Sequence, residues 1–241
     1  MARTDQECPR RRGHTASIRL IHASAFSEDT KPMKQMRRAY YDGFSTFYDR
    51  FVALHSRDPQ GAARSFLVDQ LHLRPGDSVL DLCTGTASLL VHLQGKVGAD
   101  GHVVGLDFSP GMLNVARGKT RSFANICLVE ADAGCLPFND CTFDAVTCSH
   151  AFYELKGETQ GRALAEIHRV LKPNGAFFMM EHDVPQYPLT KALFYLRLTF
   201  IGAGRAVTFL RHEKEVLQKR FRIVEKVMAP GGRSKVMICR K

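Results

Sequence analysis

The chain lacks a G-x-G-x-x-G run, a C-x-x-C pair, internal repeats and any continuous apolar stretch within its first 33 residues. Without the third glycine of the dinucleotide fingerprint, no helix N-terminus can clasp a pyrophosphate, so NAD is disfavoured; only Gly85 stands between Cys83 and Ala87. The seven cysteines, Cys8, Cys83, Cys127, Cys135, Cys141, Cys148 and Cys239, are odd in number and wrongly spaced for a disulfide framework or a zinc ribbon. They fit a reducing, cytoplasmic setting, with Cys127 and Cys148 as buried small hydrophobes in strand-like runs. Residues 1–33 have no apolar core for a secretory signal and are expected to be a disordered extension; a weak organelle-targeting segment or a natural start at Met33 or Met36 are the alternatives. The net charge of +10 is spread along the chain with no aromatic-interleaved basic block, so no nucleic-acid partner is expected.

With 241 residues, 44% of them hydrophobic, the chain can bury one substantial core. Helical periodicity over 34–57 and 60–73, broken at Asp58-Pro-Gln-Gly61, predicts an N-terminal helical lid at 34–75. From residue 76 to 241, apolar strand runs alternate with helices: 78–82 then 87–93, 102–106 then 110–119, 126–130, 143–149 then 159–171, and 176–181. Such alternation predicts an α/β fold with a parallel sheet flanked by helices, whose ligands sit at the carboxyl ends of the strands. The tail, 221–228 and 234–239 around Pro230-Gly-Gly, reads as an antiparallel hairpin.

Asp81-Leu-Cys-Thr-Gly-Thr-Ala87 is a strand that stops at a small-residue turn, where backbone N–H groups can approach a polar ligand. Asp107, some twenty residues on at the end of the next strand, is placed to accept both hydroxyls of a ribose. An Asp before the turn suits a cofactor with an amino-acid tail and no phosphate, since it can order the loop or reach an ammonium group through water; that describes S-adenosylmethionine. Asp132, directly after the run Ile126-Cys-Leu-Val, is either an acceptor for an exocyclic adenine amine or a turn residue. Glu166-Ile-His-Arg-Val-Leu-Lys-Pro-Asn-Gly175 by itself says helix, turn, strand.

Together these four ordered motifs resemble the class I S-adenosylmethionine-dependent methyltransferases, nearest to the ubiquinone/menaquinone-biosynthesis type, from about Tyr40 to the C-terminus. The resemblance implies a Rossmann-like seven-stranded, mostly parallel sheet with helices on both faces and a C-terminal antiparallel pair. It implies cofactor contacts at Asp81, Gly85, Thr86, Asp107, Phe108, Asp132, Ala133 and Ser149. Tyr41 and Tyr48 fall in the segment that folds over the cofactor in that family; Tyr48 is equally well read as a core aromatic.

Methyl transfer needs in-line positioning more than covalent help, and a base only when the attacking atom starts protonated. His150 is the expected base or acceptor orienter, Tyr153 a pocket hydroxyl, and His182 the reserve; Glu181 is expected to anchor a loop or the cofactor side. No metal is expected. Residues 188–212, apolar with Lys191, Arg197, Arg205 and Arg211 among them, form a substrate-side insertion. It is too charged to span a bilayer and either packs on the sheet, lines a pocket for a greasy acceptor, or touches a membrane surface peripherally. Where the quinone type typically carries an Arg-Asn pair, this chain has Tyr153-Glu154, so the acceptor need not be a quinone precursor. The expected acceptor is therefore a small, partly apolar molecule, quinone-like, lipid or another metabolite. A phospholipid or amine N-methyltransferase is the alternative. An RNA methyltransferase is disfavoured because Ser149-His-Ala-Phe-Tyr replaces the Asn/Asp-Pro-Pro-Tyr/Phe motif.

Overall fold

The computed structural model describes residues 38–43, 45, 46, 48, 61–155, 158–183, 204–232 and 234–241. The expected extension at 1–33, most of 44–60 and residues 188–203 of the insertion lie outside the described residues. The near-continuous apolar runs become strands because a parallel strand is buried on both faces and gains from apolar side chains at every position. They are β1 (Ser78–Leu82), β2 (His102–Asp107), β3 (Ile126–Glu130), β4 (Phe143–Ser149), β5 (Leu171–His182), β6 (Ile223–Met228) and β7 (Ser234–Arg240). The sheet order is β3-β2-β1-β4-β5-β7-β6, with β7 antiparallel to both β5 and β6 and every other pairing parallel.

Alternation along each strand divides the core into two layers. Leu80, Leu82, Val146, Phe177 and Met237 face one side, under α4 (Glu158–Val170) and α5 (Gly204–Gln218). Val79, Val103, Ala145, Phe178 and Val236 face the other, under α1 (Ala62–Gln70) and α2 (Leu90–Val97), with Ala116 of α3 (Pro110–Thr120). In α4 the buried Ala163, Leu164, Ile167 and Val170 form one helical stripe.

Two boundaries differ from the sequence pattern. The helix expected from Ala87 starts at Leu90, because Ala87 takes a left-handed φ of 64°. The strand expected from Ala176 starts at Leu171: Phe143 pairs with Leu171 but Ala145 with Ala176, so Lys172-Pro-Asn-Gly175 is accommodated as a bulge, the place in a ladder where a proline without an N–H is tolerated. Cys148 is buried as expected, whereas Cys127, on the edge strand β3, is only partly so.

At the far side, buried Lys235 of β7 reaches Glu213 of α5 and, at 3.4 Å, Asp183 just past β5. That ion cluster ties α5 to the end of β5. Among the described residues no helix is long and apolar enough to cross a membrane.

Candidate active site

Because β3, β2, β1, β4 and β5 are neighbouring parallel strands, their carboxyl ends share one rim. Asp81, Asp107, Asp132, Ser149 and His182 all sit on it, and the sheet changes winding direction between β1 and β4, the place where α/β folds bind ligands.

The turn after β1 is stapled on three sides. Asp81, 3% exposed, accepts hydrogen bonds from the Thr84 and Thr147 hydroxyls, each at 2.7 Å. Burial is the main reason its pKa is pushed up to about 6, and those two hydrogen bonds oppose the rise. Thr84 donates its N–H to Leu106 O at 3.0 Å, and Gly85 donates its N–H to Asp107 Oδ2 at 2.8 Å. Cys83, Gly85 and Ala87 all have positive φ, at 57°, 55° and 64°. Left-handed residues are what turn successive N–H groups toward a common concavity. At Gly85 the conformation favours glycine, and the space where a Cβ would stand is open.

Asp107, 6% exposed, accepts from Gly85 N–H at one oxygen and from Ser109 N–H, at 2.9 Å, at the other. Burial raises its pKa against those backbone hydrogen bonds, and the charge of Asp42 adds to the rise. Each carboxylate oxygen has two lone pairs, so the pair retains acceptor capacity for a diol.

The helical residues 38–43 lie over this rim. Asp42 Oδ1 accepts from Ser109 Oγ at 2.6 Å and from Gly111 N–H at 2.9 Å, capping α3 from outside its own chain segment. A Cβ on Gly111 would stand 2.7 Å from Asp42 Cα, so only glycine permits this approach. Arg38 pairs with Glu130 at the end of β3. Tyr41 packs edge-on against Phe108 at 5.7 Å and donates its hydroxyl to Glu154.

Asp132 holds its own turn, accepting from Gly134 N–H at 2.8 Å, beside buried Ala133. The following loop is fixed by two residues of α4 to which the sequence pattern assigned no role. Glu166 accepts from Leu136 N–H at 2.7 Å, and Arg169 donates to Phe138 O at 2.7 Å and Leu136 O at 3.0 Å while pairing with Glu166 and Asp140. Burial works against the Glu166 charge, but the hydrogen bonds from Arg169 and Leu136 outweigh it and leave its pKa lowered. Their i,i+3 spacing is legible as an ion pair, yet nothing local reveals the loop they hold. Lys119 of α3 likewise reaches Thr86 Oγ1 at 3.0 Å.

Past β4 and β5 stand the titratable side chains. His150 has φ 54°, a region where histidine is enriched among non-glycine residues, and donates its N–H to Met180 O at 2.8 Å. Its ring lies 4.4 Å from that of His182, tilted by 31°. Glu181 is fully buried and anchors the following turn, accepting from Phe152 N–H at 2.9 Å and Tyr153 N–H at 3.3 Å. Burial drives its pKa well up, and the charges of Glu154 and Glu213 add to that. Burial, then the charges of Glu154 and Glu181, also raise the Tyr153 pKa. Glu154 thus receives the hydroxyl of Tyr41 in the covering segment, and its charge bears on Tyr153 of the wall. Ser149 Oγ lies 3.9 Å from Met180 Sδ.

The model of the ubiE/COQ5 methyltransferase family matches residues 30–208. The demethylmenaquinone methyltransferase of Staphylococcus epidermidis is 34% identical over 193 residues, covering 79% of each chain. That of Staphylococcus haemolyticus is 35% identical over 188 residues, covering 77% of this chain and 78% of its own. Among solved structures, an S-adenosylmethionine-dependent methyltransferase from Aquifex aeolicus superposes with a TM-score of 0.55 at 22% identity, over 73% of this chain and 88% of that one. One from Methanococcus maripaludis gives 0.59 at 16% identity, over 90% and 97%. These two likenesses speak for the fold alone. The family match spans most of the chain and includes the turn, the acids and the loop just described, so the chain belongs to the ubiE/COQ5 methyltransferase family and is an S-adenosylmethionine-dependent methyltransferase.

Proposed function

We propose that the enzyme methylates a ring carbon of a small, partly apolar acceptor of the reduced quinone type, held beside the His150–His182 stack. The observation that carries this reading is that stack itself, two imidazoles 4.4 Å apart at the ends of adjacent strands, next to the rim that carries Asp107. The relatives' names, demethylmenaquinone methyltransferases, support the acceptor class.

When bound, S-adenosylmethionine supplies an electrophilic methyl group on a sulfonium sulfur. The residues present fit it: Asp107 has acceptor capacity for the ribose hydroxyls, and the open space at Gly85 admits a ligand to the backbone. In this reading Thr86 and Gly85 line the amino-acid end, Asp132 and Ala133 the adenine, Phe108 and Tyr41 its cover, and Ser149 the boundary with the acceptor. Asp81 acts through the turn it holds.

A hydroquinone carbon becomes nucleophilic once a ring hydroxyl loses its proton. His150 accepts that proton, with His182 in reserve, leaving an oxyanion beside the ring carbon held in line with the donor. The sulfonium–methyl bond would break as the carbon–carbon bond forms, S-adenosylhomocysteine would leave, and loss of the ring C–H proton with return of a proton to the oxyanion would restore the quinol. Tyr153, whose raised pKa keeps it protonated, donates a hydrogen bond to the acceptor's oxygen. An apolar acceptor also suits the proposal that residues 188–212 touch a membrane surface peripherally; flotation with anionic liposomes would show it, and failure to float would remove it.

The test is release of S-adenosylhomocysteine with three acceptors: a short-chain demethylated naphthoquinol kept reduced, its oxidised quinone, and phosphoethanolamine. Turnover with the quinol alone is expected. Turnover with the amine and none with the quinol would replace this reading by an amine N-methyltransferase.

A further inference from the structure

Leu82, the last residue of β1, lies opposite Cys148 in the parallel register of β1 and β4, and Cys83 follows it. In extended backbone Cys83 would face the other side of the sheet, because side chains alternate along a strand. Its left-handed φ of 57° breaks the alternation, at the steric cost that any residue with a Cβ meets there. The side chain consequently packs on the same apolar cluster as Cys148, whose pKa is pushed well up first by the Cys83 thiol beside it and then by burial. With strands about 4.8 Å apart and a rise of about 3.3 Å per residue, residues offset by one on neighbouring strands have Cα atoms about 6 Å apart. That falls inside the span of about 4.4 to 6.8 Å that a disulfide bridges. Cys148 is buried and Cys83 partly exposed at the cofactor turn, so an attacking thiol and a resolving thiol are distinguished by access.

We propose that Cys83 and Cys148 are a reversible disulfide site, oxidised by a hydroperoxide, whose closure disables the cofactor turn. The Cys83 sulfur attacks the peroxide: an S–O bond forms, the O–O bond breaks, and an alcohol, or water from hydrogen peroxide, leaves. The Cys148 sulfur then attacks Cys83, the S–S bond forms, the S–O bond breaks, and the displaced hydroxyl leaves as water with the Cys148 proton. Two thiols have lost two electrons and two protons, and the hydroperoxide has been reduced to an alcohol and water. A dithiol reductant reverses the bond. Cys148 is the hub of this arrangement: its neighbour Thr147 holds Asp81, which holds Thr84, so a bridge from Cys148 to Cys83 pulls on the segment that presents Gly85 and Thr86. The consequence for cofactor binding rests on the assignment of this turn to S-adenosylmethionine; the disulfide itself does not.

The full chain, treated with hydrogen peroxide and alkylated, is digested without reductant and analysed by mass spectrometry. A cross-linked peptide pair carrying Cys83 and Cys148, two hydrogens lighter than the free pair and lost with dithiothreitol, is expected. It should persist in Cys141→Ala, which removes the thiol that is exposed among the described residues, and vanish in Cys148→Ala with Cys83 oxidised further. Peroxide-treated protein with both thiols unlinked overturns the site. Calorimetry with S-adenosylhomocysteine should show affinity falling by about tenfold on oxidation, the scale of one charge-assisted hydrogen bond, and returning on reduction. A cross-linked protein that binds as before overturns the effect on the cofactor turn while leaving the disulfide standing.

Discussion

Ser109 donates its hydroxyl to Asp42 Oδ1 at 2.6 Å across 67 residues of sequence, and the same hydroxyl accepts Met112 N–H at 3.1 Å. One side chain thus caps α3 and fastens the covering segment to the rim beside Asp107. Removing the carboxylate should release that segment without touching the sheet.

Asp42→Ala is expected to weaken S-adenosylhomocysteine binding by about fivefold, corresponding to the roughly 1 kcal/mol typical of a lost helix cap. Gly111→Ala should act in the same direction, because its Cβ would meet Asp42 Cα at 2.7 Å. Calorimetric affinities unchanged in both variants would show that residues 38–43 do not cover the cofactor.

Asp107→Ala should cost about 1.5 to 3 kcal/mol of cofactor binding, the range for charge-assisted hydrogen bonds. It also leaves the Gly85 and Ser109 N–H groups without their acceptor, so the melting temperature should fall as well. Asp107→Asn, which keeps one carbonyl oxygen, should lose less stability. An affinity equal to that of the unaltered chain would take Asp107 out of the site.

Two carboxylates should respond to pH with opposite sign. Asp81 has a folded pKa raised to about 6, so its protonation favours the folded state. That contribution is complete below the ordinary carboxylate value and disappears as pH rises through about 6. A shift of that size is worth about 3 kcal/mol. Asp81→Asn should therefore gain on the unaltered chain between about pH 4 and pH 6 and hold a constant difference above pH 7. Glu166 has a lowered pKa, so its contribution is present above the ordinary value and lost as pH falls through the folded one. Glu166→Gln should flatten that acid limb. Denaturant unfolding across pH reads both, and parallel curves for Asp81→Asn and the unaltered chain would refute the first.

Arg169 serves two backbone carbonyls and two carboxylates from one planar guanidinium. Lysine cannot reproduce that fork. Arg169→Lys is expected to lower stability by about 2 kcal/mol and to weaken cofactor binding, since the Leu136–Phe138 loop follows Asp132 directly. Stability loss with unaltered affinity would separate the loop from the cofactor.

His150→Ala should reduce turnover far more than cofactor affinity if it takes the acceptor's proton, and His182→Ala should do so less. Equal losses in rate and affinity for His150→Ala would assign it to holding the turn after β4. A rate that rises with pH in the unaltered enzyme and is flat in His150→Ala would mark the base directly.

The helices, the parallel strands and the terminal hairpin were legible in the sequence because burial imposes periodicity on neighbours in the chain. Asp81, Asp107, Asp132 and Ser149 were legible as neighbours on one rim for the same reason: strand ends can be read from where apolar runs stop, and parallel strands must end on one rim. The boundary at Leu171 was not, because the bulge at Lys172–Gly175 is set by pairing with β4, which no local pattern encodes.

The amino-acid order by itself determined the fold, the cofactor class and the strand-end acids, since each depends on local propensity and spacing. Only the tertiary structure decided that Asp42 caps α3, that Tyr41 reaches Glu154, that Arg169 fixes the Leu136–Phe138 loop and that Cys83 packs on the cluster that holds Cys148. These are contacts between side chains distant in sequence or turned by a single left-handed residue, and their partners are chosen by how the packed layers bring the segments together.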